Sequence, residues 1–300
     1  MFNIIYCELR IMKVVGGSAS KGLAKQISEG LGCEYYDAET TRFPDGECYT
    51  RLSNADLDGE DVILVQNTYP DESIIEMLLL QDTIRSMGAK TITLVIPYFG
   101  YGRQDRVFKR GEANSASVMI RLLSLNCDKV ITVDIHKEDI LDEFKCPAVD
   151  IKAAPAFAKH FLDRKCGIDL VLAPDVGASA RAKAVGDLMG VPHDHLEKVR
   201  ISGTEVRISP ATIDCKGKSI LIVDDMISTG GTIVAAKAAL KDAGAKRVIV
   251  ACCHGVFVNN ALSRLVEDGG IVLTCNTLYN PLSKISVSEL IVGAILEGVN

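Results

Sequence analysis

Ser219-Ile220-Leu221-Ile222-Val223-Asp224-Asp225-Met226-Ile227-Ser228-Thr229-Gly230-Gly231-Thr232 decides how this chain is read. Ile220 to Val223 is a short apolar run, the signature of a parallel strand buried on both faces. The run ends in two adjacent carboxylates, Asp224 and Asp225. A polar turn, Ser228 to Thr232, follows, and the Ala-rich stretch from Ile233 to Ala243 reads as a helix. Backbone N–H groups at a helix N-terminus point outward and attract an anion. Gly230 and Gly231 let the backbone approach closely with no Cβ in the way. Together these features predict a phosphate cradle with two acids beside it. Such a site suits a ligand with a phosphate at one end and hydroxyls or Mg²⁺ near it. A glycine-rich turn alone is also an ordinary strand-to-helix connection. The acid pair and the Ser-Thr-Gly-Gly-Thr run favour phosphate.

The pattern around this stretch occurs twice. ILIVDDMISTGGTIVAAKAALKDAGAKRVIVACCH is matched upstream by VILVQNTYPDESIIEMLLLQDTIRSMGAKTITLVIPY. Each is strand, turn, helix, Gly-Ala-Lys stop and strand. Before them, VGASARAKAVGDLMGVPHDHLEKVRISGTEVRI parallels GGSASKGLAKQISEGLGCEYYDAETTRFPDGECYTRL. A duplicated α/β unit follows: two tandem domains, each a mostly parallel sheet flanked by helices, bounded at about 1–152 and 153–300. Residues 1–11 read as a possible extension before Met12, and roughly the last 15 residues are expected on the first domain. At the turn the copies differ, because the first has Asn67-Thr68-Tyr69-Pro70-Asp71-Glu72 and no glycines. Ligands in open α/β sheets sit beyond the carboxyl ends of strands. The acid pair, His136 and Asp175 are expected at such ends, where they could converge on one cleft between the domains.

Composition narrows the class. The chain has 300 residues, 48% apolar, with a net charge of −6 and no basic stripe, which argues against a nucleic-acid surface. Ten cysteines are scattered with no C-x-x-C pair, so neither a zinc ribbon nor a redox motif is indicated. No apolar run approaches the ~20 residues a membrane span needs, and the start lacks a secretory pattern. Reduced thiols in a cytoplasmic protein are the expectation. The G-x-x-x-x-G-K-[ST] and H-R-D signatures are absent, as is G-x-G-x-x-G after the first strand, so any ATP is held by other devices.

Four constellations carry candidate chemistry. In Arg42-Phe43-Pro44-Asp45-Gly46-Glu47, Phe43 could stack on a base while Asp45 and Glu47 accept from an exocyclic amine; an exposed hairpin turn reads the same. Gly100 to Glu112 holds Arg103, Arg106, Lys109 and Arg110, and so long a cationic loop beside a strand end fits a flexible cover over polyphosphate. His136 ends the run Val130 to His136, with Asp134 two residues earlier on the same strand face. Asp175 follows another strand and could hold Mg²⁺, which prefers oxygen ligands. Lys198 and Arg200 alternate on a strand, which puts two cations on one face, suited to charge on a transferring phosphoryl group, though by themselves they read more readily as a solvated charged strand face.

VDDMISTGGT resembles the ribose-phosphate motif of the type I phosphoribosyltransferase superfamily. With RFPDGE, YGRQDR, VDIH, APDVGASARA and EKVR in order, the chain from Met12 resembles the ribose-phosphate diphosphokinases (5-phosphoribosyl 1-diphosphate, PRPP, synthetases) of the archaeal type. The resemblance implies two phosphoribosyltransferase-like domains. It also implies Mg²⁺-dependent transfer of the β,γ-diphosphoryl group of ATP to the 1-hydroxyl of ribose 5-phosphate, giving PRPP and AMP. Matched motif by motif, it assigns ATP to Phe43, Asp45, Gly46, Glu47, Arg103, Gln104, Asp105 and His136, and the metal to His136 and Asp175. Catalysis falls to Lys198 and Arg200. Ribose 5-phosphate falls to Arg200, Asp224, Asp225, Ser228, Thr229, Gly230, Gly231 and Thr232. A homo-oligomer with the ATP site near a subunit interface is implied, with no nucleic-acid or membrane partner. Where members of the family carry Gly-Gly after the Asp175-type residue, this chain has Gly177-Ala178. Competing readings are a PRPP-consuming phosphoribosyltransferase, which needs neither the duplication nor RFPDGE, and an inactive synthetase-like regulatory subunit, which predicts loss of His136, Lys198, Arg200 or the acid pair.

Overall fold

The computed structural model describes residues 12–200, 206–209, 213–267 and 269–298. The possible extension, residues 1–11, lies outside the described residues. The chain divides into two compact units. One runs to Ile151 and takes in the segment from Ser288, and the other is Lys152–Val287.

In the first unit the elements are β1 (Met12–Gly16), α1 (Lys21–Leu31), β2 (Glu34–Asp37), β3 (Glu39–Arg42), β4 (Cys48–Arg51), β5 (Asp61–Val65), α2 (Glu72–Ser86), β6 (Thr91–Ile96), α3 (Ser115–Leu123), β7 (Lys129–Val133) and β8 (Ala148–Ile151). Six strands form a parallel sheet in the order β2-β1-β5-β6-β7-β8. β3 and β4 stand apart as an antiparallel hairpin. The central strands are apolar runs because helices cover both faces of a parallel sheet. Leu64, Leu94, Ile96 and Val130 are fully buried and pack with Met77, Leu80 and Ile84 of α2.

The second unit holds α4 (Ala154–Asp163), β9 (Leu170–Ala173), α5 (Ser179–Met189), β10 (His193–His195), β11 (Glu197–Arg200), β12 (Val206–Ser209), β13 (Ser219–Ile227), α6 (Gly231–Asp242), β14 (Arg247–Gly255), α7 (Ala261–Val266), β15 (Ile271–Cys275) and β16 (Ser283–Ile285). Its parallel sheet has the order β10-β9-β13-β14-β15-β16, the same permutation as the first, with β11 and β12 as the separate hairpin. Leu172, Ile220, Ile222, Val250 and Leu240 form its core.

The duplication reaches individual hydrogen bonds. Ala38 N–H donates to Gly16 C=O in one unit, and Leu196 N–H to Ala173 C=O in the other. Gly59 and Gly217 donate at 2.9 Å to the carbonyls of Gly88 and Gly244, the glycines that follow α2 and α6. The two hairpins share one register, Thr40 facing Thr50 as Lys198 faces Ile208. In each sheet the chain order reverses beside the first strand, between β1 and β5 and between β9 and β13, and a ligand crevice opens at such a switch point.

The last helix, α8 (Ser288–Glu297), packs on α1 and β8 of the first unit. Gly30 of α1 makes room for it, since a Cβ there would lie 2.9 Å from Val292 Cγ2. Lys129 Nζ donates to the Ala294 carbonyl at 3.3 Å.

Candidate functional site

At the second unit's switch point, β13 runs on past the acid pair to Ile227, beyond the end expected at Val223. The reason is its neighbour. β14 is equally long and pairs with it as far as Ile227 opposite Gly255, whereas β9 pairs only as far as Leu172. Asp224 and Asp225 are thus strand residues with one edge open beside the end of β9. Asp224 Oδ1 accepts from Asp225 N–H at 2.9 Å, and Asp225 Oδ1 from Met226 N–H at 2.7 Å. Burial pushes the Asp224 carboxyl up, to about 8, and the adjacent Asp225 charge adds to it. Arg181 of α5, 4.0 Å from Asp224 Oδ1, pulls the other way. Burial and a neighbouring like charge thus favour the protonated form of Asp224, and the two carboxyls stand side by side as partners for hydroxyl groups.

The turn after β13 leaves backbone donors open at a helix N-terminus. Gly230 has φ +72°, a conformation open to glycine, and caps α6. The first helical bond runs from Val234 N–H to Gly230 C=O, so the amides of Gly231, Thr232 and Ile233 lie ahead of the helix's own bonding. A Cβ at Gly231 would meet no protein atom within 4 Å. The turn is held from outside: Val258 N–H donates to Ser228 C=O at 3.1 Å, and the Arg264 guanidinium donates to the Thr229 carbonyl. Buried Lys237 of α6 donates to Leu265 C=O at 2.5 Å, which ties α7 to the helix that the turn opens.

Asp175 follows β9. It is half-buried, and its Oδ1 accepts from Gly177 N–H at 3.0 Å. Among the described residues no three His, Cys, Asp or Glu side chains gather as a metal cage. Mg²⁺ needs none, since it is held by one or two carboxylates with waters and substrate phosphates, and Asp175 fits that use. Lys198 and Arg200 take alternate positions on β11, and residues 201–205 beyond them lie outside the described residues, as do the side chains of both cations.

In the first unit, Phe43 to Glu47 form the tip of the β3–β4 hairpin. Phe43 N–H donates to Glu47 C=O at 2.9 Å and Gly46 N–H to Phe43 C=O at 2.8 Å. Gly46 takes φ +93°. Asp45 Oδ1 accepts from Glu47 N–H at 3.1 Å, so part of that carboxylate serves the turn itself. The Phe43 ring is 49% exposed and meets Tyr49 edge-on at 5.7 Å.

The segment from Gly100 to Glu112, expected to be a flexible cover, is braced by hydrogen bonds within itself. Glu112 Oε2 accepts from the amides of Phe108 and Lys109 at 3.0 and 2.9 Å. Gln104 spends its side-chain amide on Arg106 C=O at 3.0 Å. A hydrogen bond from Arg106 holds the Asp105 carboxyl below its usual range. Arg103 is exposed. His136 stands beside this segment, its Cβ 3.7 Å from where a Gly102 Cβ would be. The expected sharing of a strand face by Asp134 and His136 does not hold. β7 ends at Val133, Asp134 takes φ +44° and is 3% exposed, and His136 is exposed.

Residues 12–126 match the N-terminal domain of ribose phosphate pyrophosphokinase, and residues 142–278 match the phosphoribosyl transferase domain. The chain is 43% identical over 276 residues to the ribose-phosphate pyrophosphokinase of Pyrococcus furiosus, covering 91% of this chain and 97% of that one. The chain belongs to the ribose-phosphate pyrophosphokinase family. A second family member, from Methanopyrus kandleri, is 39% identical over 95% of this chain and 98% of its own. Among solved structures, the phosphoribosylpyrophosphate synthetase from Mycobacterium smegmatis superposes with a TM-score of 0.84 at 29% identity, covering 96% and 99% of the two chains. Within this pyrophosphokinase fold, sequence reading overlooked Arg181 and Arg264. Arg181 lies within the quoted APDVGASARA stretch and Arg264 in an unremarkable helix, and only the tertiary structure brings the one to the acid pair and the other to the turn after β13.

Proposed function

We propose that this enzyme uses Mg²⁺ to transfer the β,γ-diphosphoryl group of ATP to the 1-hydroxyl of D-ribose 5-phosphate, giving PRPP and AMP for nucleotide biosynthesis. The observation that carries the reading is the acid pair at the second unit's switch point, followed by a glycine turn with open helix amides. A sugar phosphate has the matching halves. Its 5-phosphate suits Ser228 to Thr232, and its ring hydroxyls suit Asp224 and Asp225. Arg200 adds a contact to the same substrate.

ATP falls to the first unit in this reading. Phe43, Asp45, Gly46 and Glu47 meet adenine, and Arg103, Gln104, Asp105 and His136 meet the phosphates. The hairpin tip is fully displayed, which supports an ATP site shared with a second copy in a homo-oligomer. Mg²⁺ supplies neutralising charge on the phosphate oxygens, with Asp175 and His136 the residues that would hold it. The attacking hydroxyl must lie in line with the β-phosphorus while charge grows on the oxygen bridging to AMP. Positioning and charge stabilisation by Lys198 and Arg200 are then most of the catalysis. A cytoplasmic location belongs to the same reading, since PRPP formation draws on ATP and serves nucleotide biosynthesis. Among the described residues no helix is long and apolar enough to cross a membrane.

The test is AMP and PRPP formation from ATP, Mg²⁺ and ribose 5-phosphate, with and without the sugar, beside Lys198→Ala. Sugar-dependent products that fall on the order of 10²–10³-fold in the variant are expected. Product formation that requires a nucleobase, or full activity in Lys198→Ala, would overturn the reading.

A further inference from the structure

The two hairpins and switch points can be matched residue by residue, and the match shows what became of the first unit's copy of the reaction site. The paired bonds Ala38 to Gly16 and Leu196 to Ala173 make Ser18 the counterpart of Asp175 and Thr40 the counterpart of Lys198. Glu76 and Thr232 each lie twelve residues before the glycine that follows their helix, Gly88 and Gly244. Three residues of the proposed site in one unit thus have Ser18, Thr40 and Glu76 as equivalents in the other. These three are bonded to one another. Glu76 Oε1 accepts from Ser18 N–H at 2.7 Å and from Thr40 Oγ1 at 2.9 Å, and Oε2 accepts from Ser18 Oγ. Glu76 is 3% exposed. They edge a cavity of about 580 Å³ that also takes in Thr41, Arg42 and Gly46 of the hairpin.

We propose that Glu76 is a positioning residue: an internal carboxylate that occupies the first unit's copy of the reaction site and fastens the β3–β4 hairpin, thereby setting the affinity for ATP. A carboxylate is tolerated in such a place only when donors surround it, and here one donor is the hairpin's own Thr40. Around it two neighbouring side-chain oxygens are used in the same way. Gln66 Oε1 accepts from Ala19 N–H at 3.1 Å, and Asn67 Oδ1 from Tyr98 N–H at 2.8 Å. These two residues stand where the second unit has Asp224 and Asp225. Duplication left one switch point open for substrate and let the other anchor a recognition element.

The effect on ATP rests on the proposed contact of this hairpin with adenine, so Phe43→Ala is the reference variant. Thr40→Val removes the hairpin's bond to Glu76 without touching the buried acid; Thr40→Ser restores it. Hydrogen exchange of residues 39–51 and the KM values for both substrates are measured in each. Thr40→Val is expected to speed exchange across 39–51 and to raise the KM for ATP about tenfold. kcat should change less than twofold and the KM for ribose 5-phosphate should not change, with Thr40→Ser like the parent. Unchanged exchange in Thr40→Val overturns the anchor. Faster exchange with an unchanged KM for ATP, while Phe43→Ala raises it, overturns the link to affinity. If Phe43→Ala leaves that KM unchanged, the adenine reading of the hairpin falls and takes the link to affinity with it.

Discussion

At Asp224 the site and the stability of the fold are in tension. Its carboxyl is raised in the folded protein by burial and by Asp225, so the folded state binds a proton more tightly than the unfolded chain does. Stability is then fully present below the unfolded value of about 4 and is lost as pH rises towards about 8, where the folded group ionises. Asp224→Asn removes this cost. Its Tm should exceed that of the parent by an amount that grows from pH 4 to pH 8 and then levels off, reaching on the order of a few degrees. A difference in Tm that does not depend on pH would show that the pair shares no such strain. The acids were legible in the sequence because two carboxylates after an apolar run are conspicuous. The raised proton affinity of Asp224 was not, because it comes from burial within the folded sheet and from the Asp225 charge, with Arg181 of another helix working against both.

The elements repeat, yet their contacts differ. Gly88 and Gly244 follow equivalent helices with φ of +88° and +84°, conformations in which an L side chain is strained. A Cβ at Gly88 would stand 2.3 Å from Asp58 Oδ1 and 3.2 Å from the Asp58 Cα, whereas one at Gly244 would meet only Lys216, at 3.6 Å. Gly244→Ala should therefore cost about 1 kcal/mol from the backbone alone and Gly88→Ala roughly twice that or more. Urea unfolding of the two variants decides it, and equal costs would contradict the contact argument. The Gly-Ala-Lys stops were plain in the sequence because a helix end has a local chemical signature. The first strand of the hairpin, β3, was not, because Glu-Thr-Thr-Arg carries little apolar signal and forms only by pairing with β4.

For the whole molecule, the chain leaves its first unit at Ile151 and returns to it at Ser288. Deleting the segment from Ser288 would strip α1 and β8 of the face that Val292 and its neighbours cover. Amide exchange should then rise in 21–31 and 148–151 while the core of 152–287 keeps its protection; a rise confined to the second unit would refute the assignment. What the sequence determined by itself is the architecture: two copies of an α/β unit, most of their strands, their helix stops, and the glycine turn that follows the acid pair. These are encoded in periodicity, in glycine and in adjacent residues, all of which act over a few positions of chain. What only the tertiary structure decided is which polar residues face outward and which are consumed. Asp224 is marked locally by the apolar run before it, but nothing local tells that Glu76, one acid of a helix, is buried. Glu76 is consumed because donors arrive from far along the chain, Ser18 and Thr40, whereas Asp224 is desolvated beside a second carboxylate with the Arg181 guanidinium 4.0 Å away, and a buried carboxyl takes its character from the groups the fold brings to it.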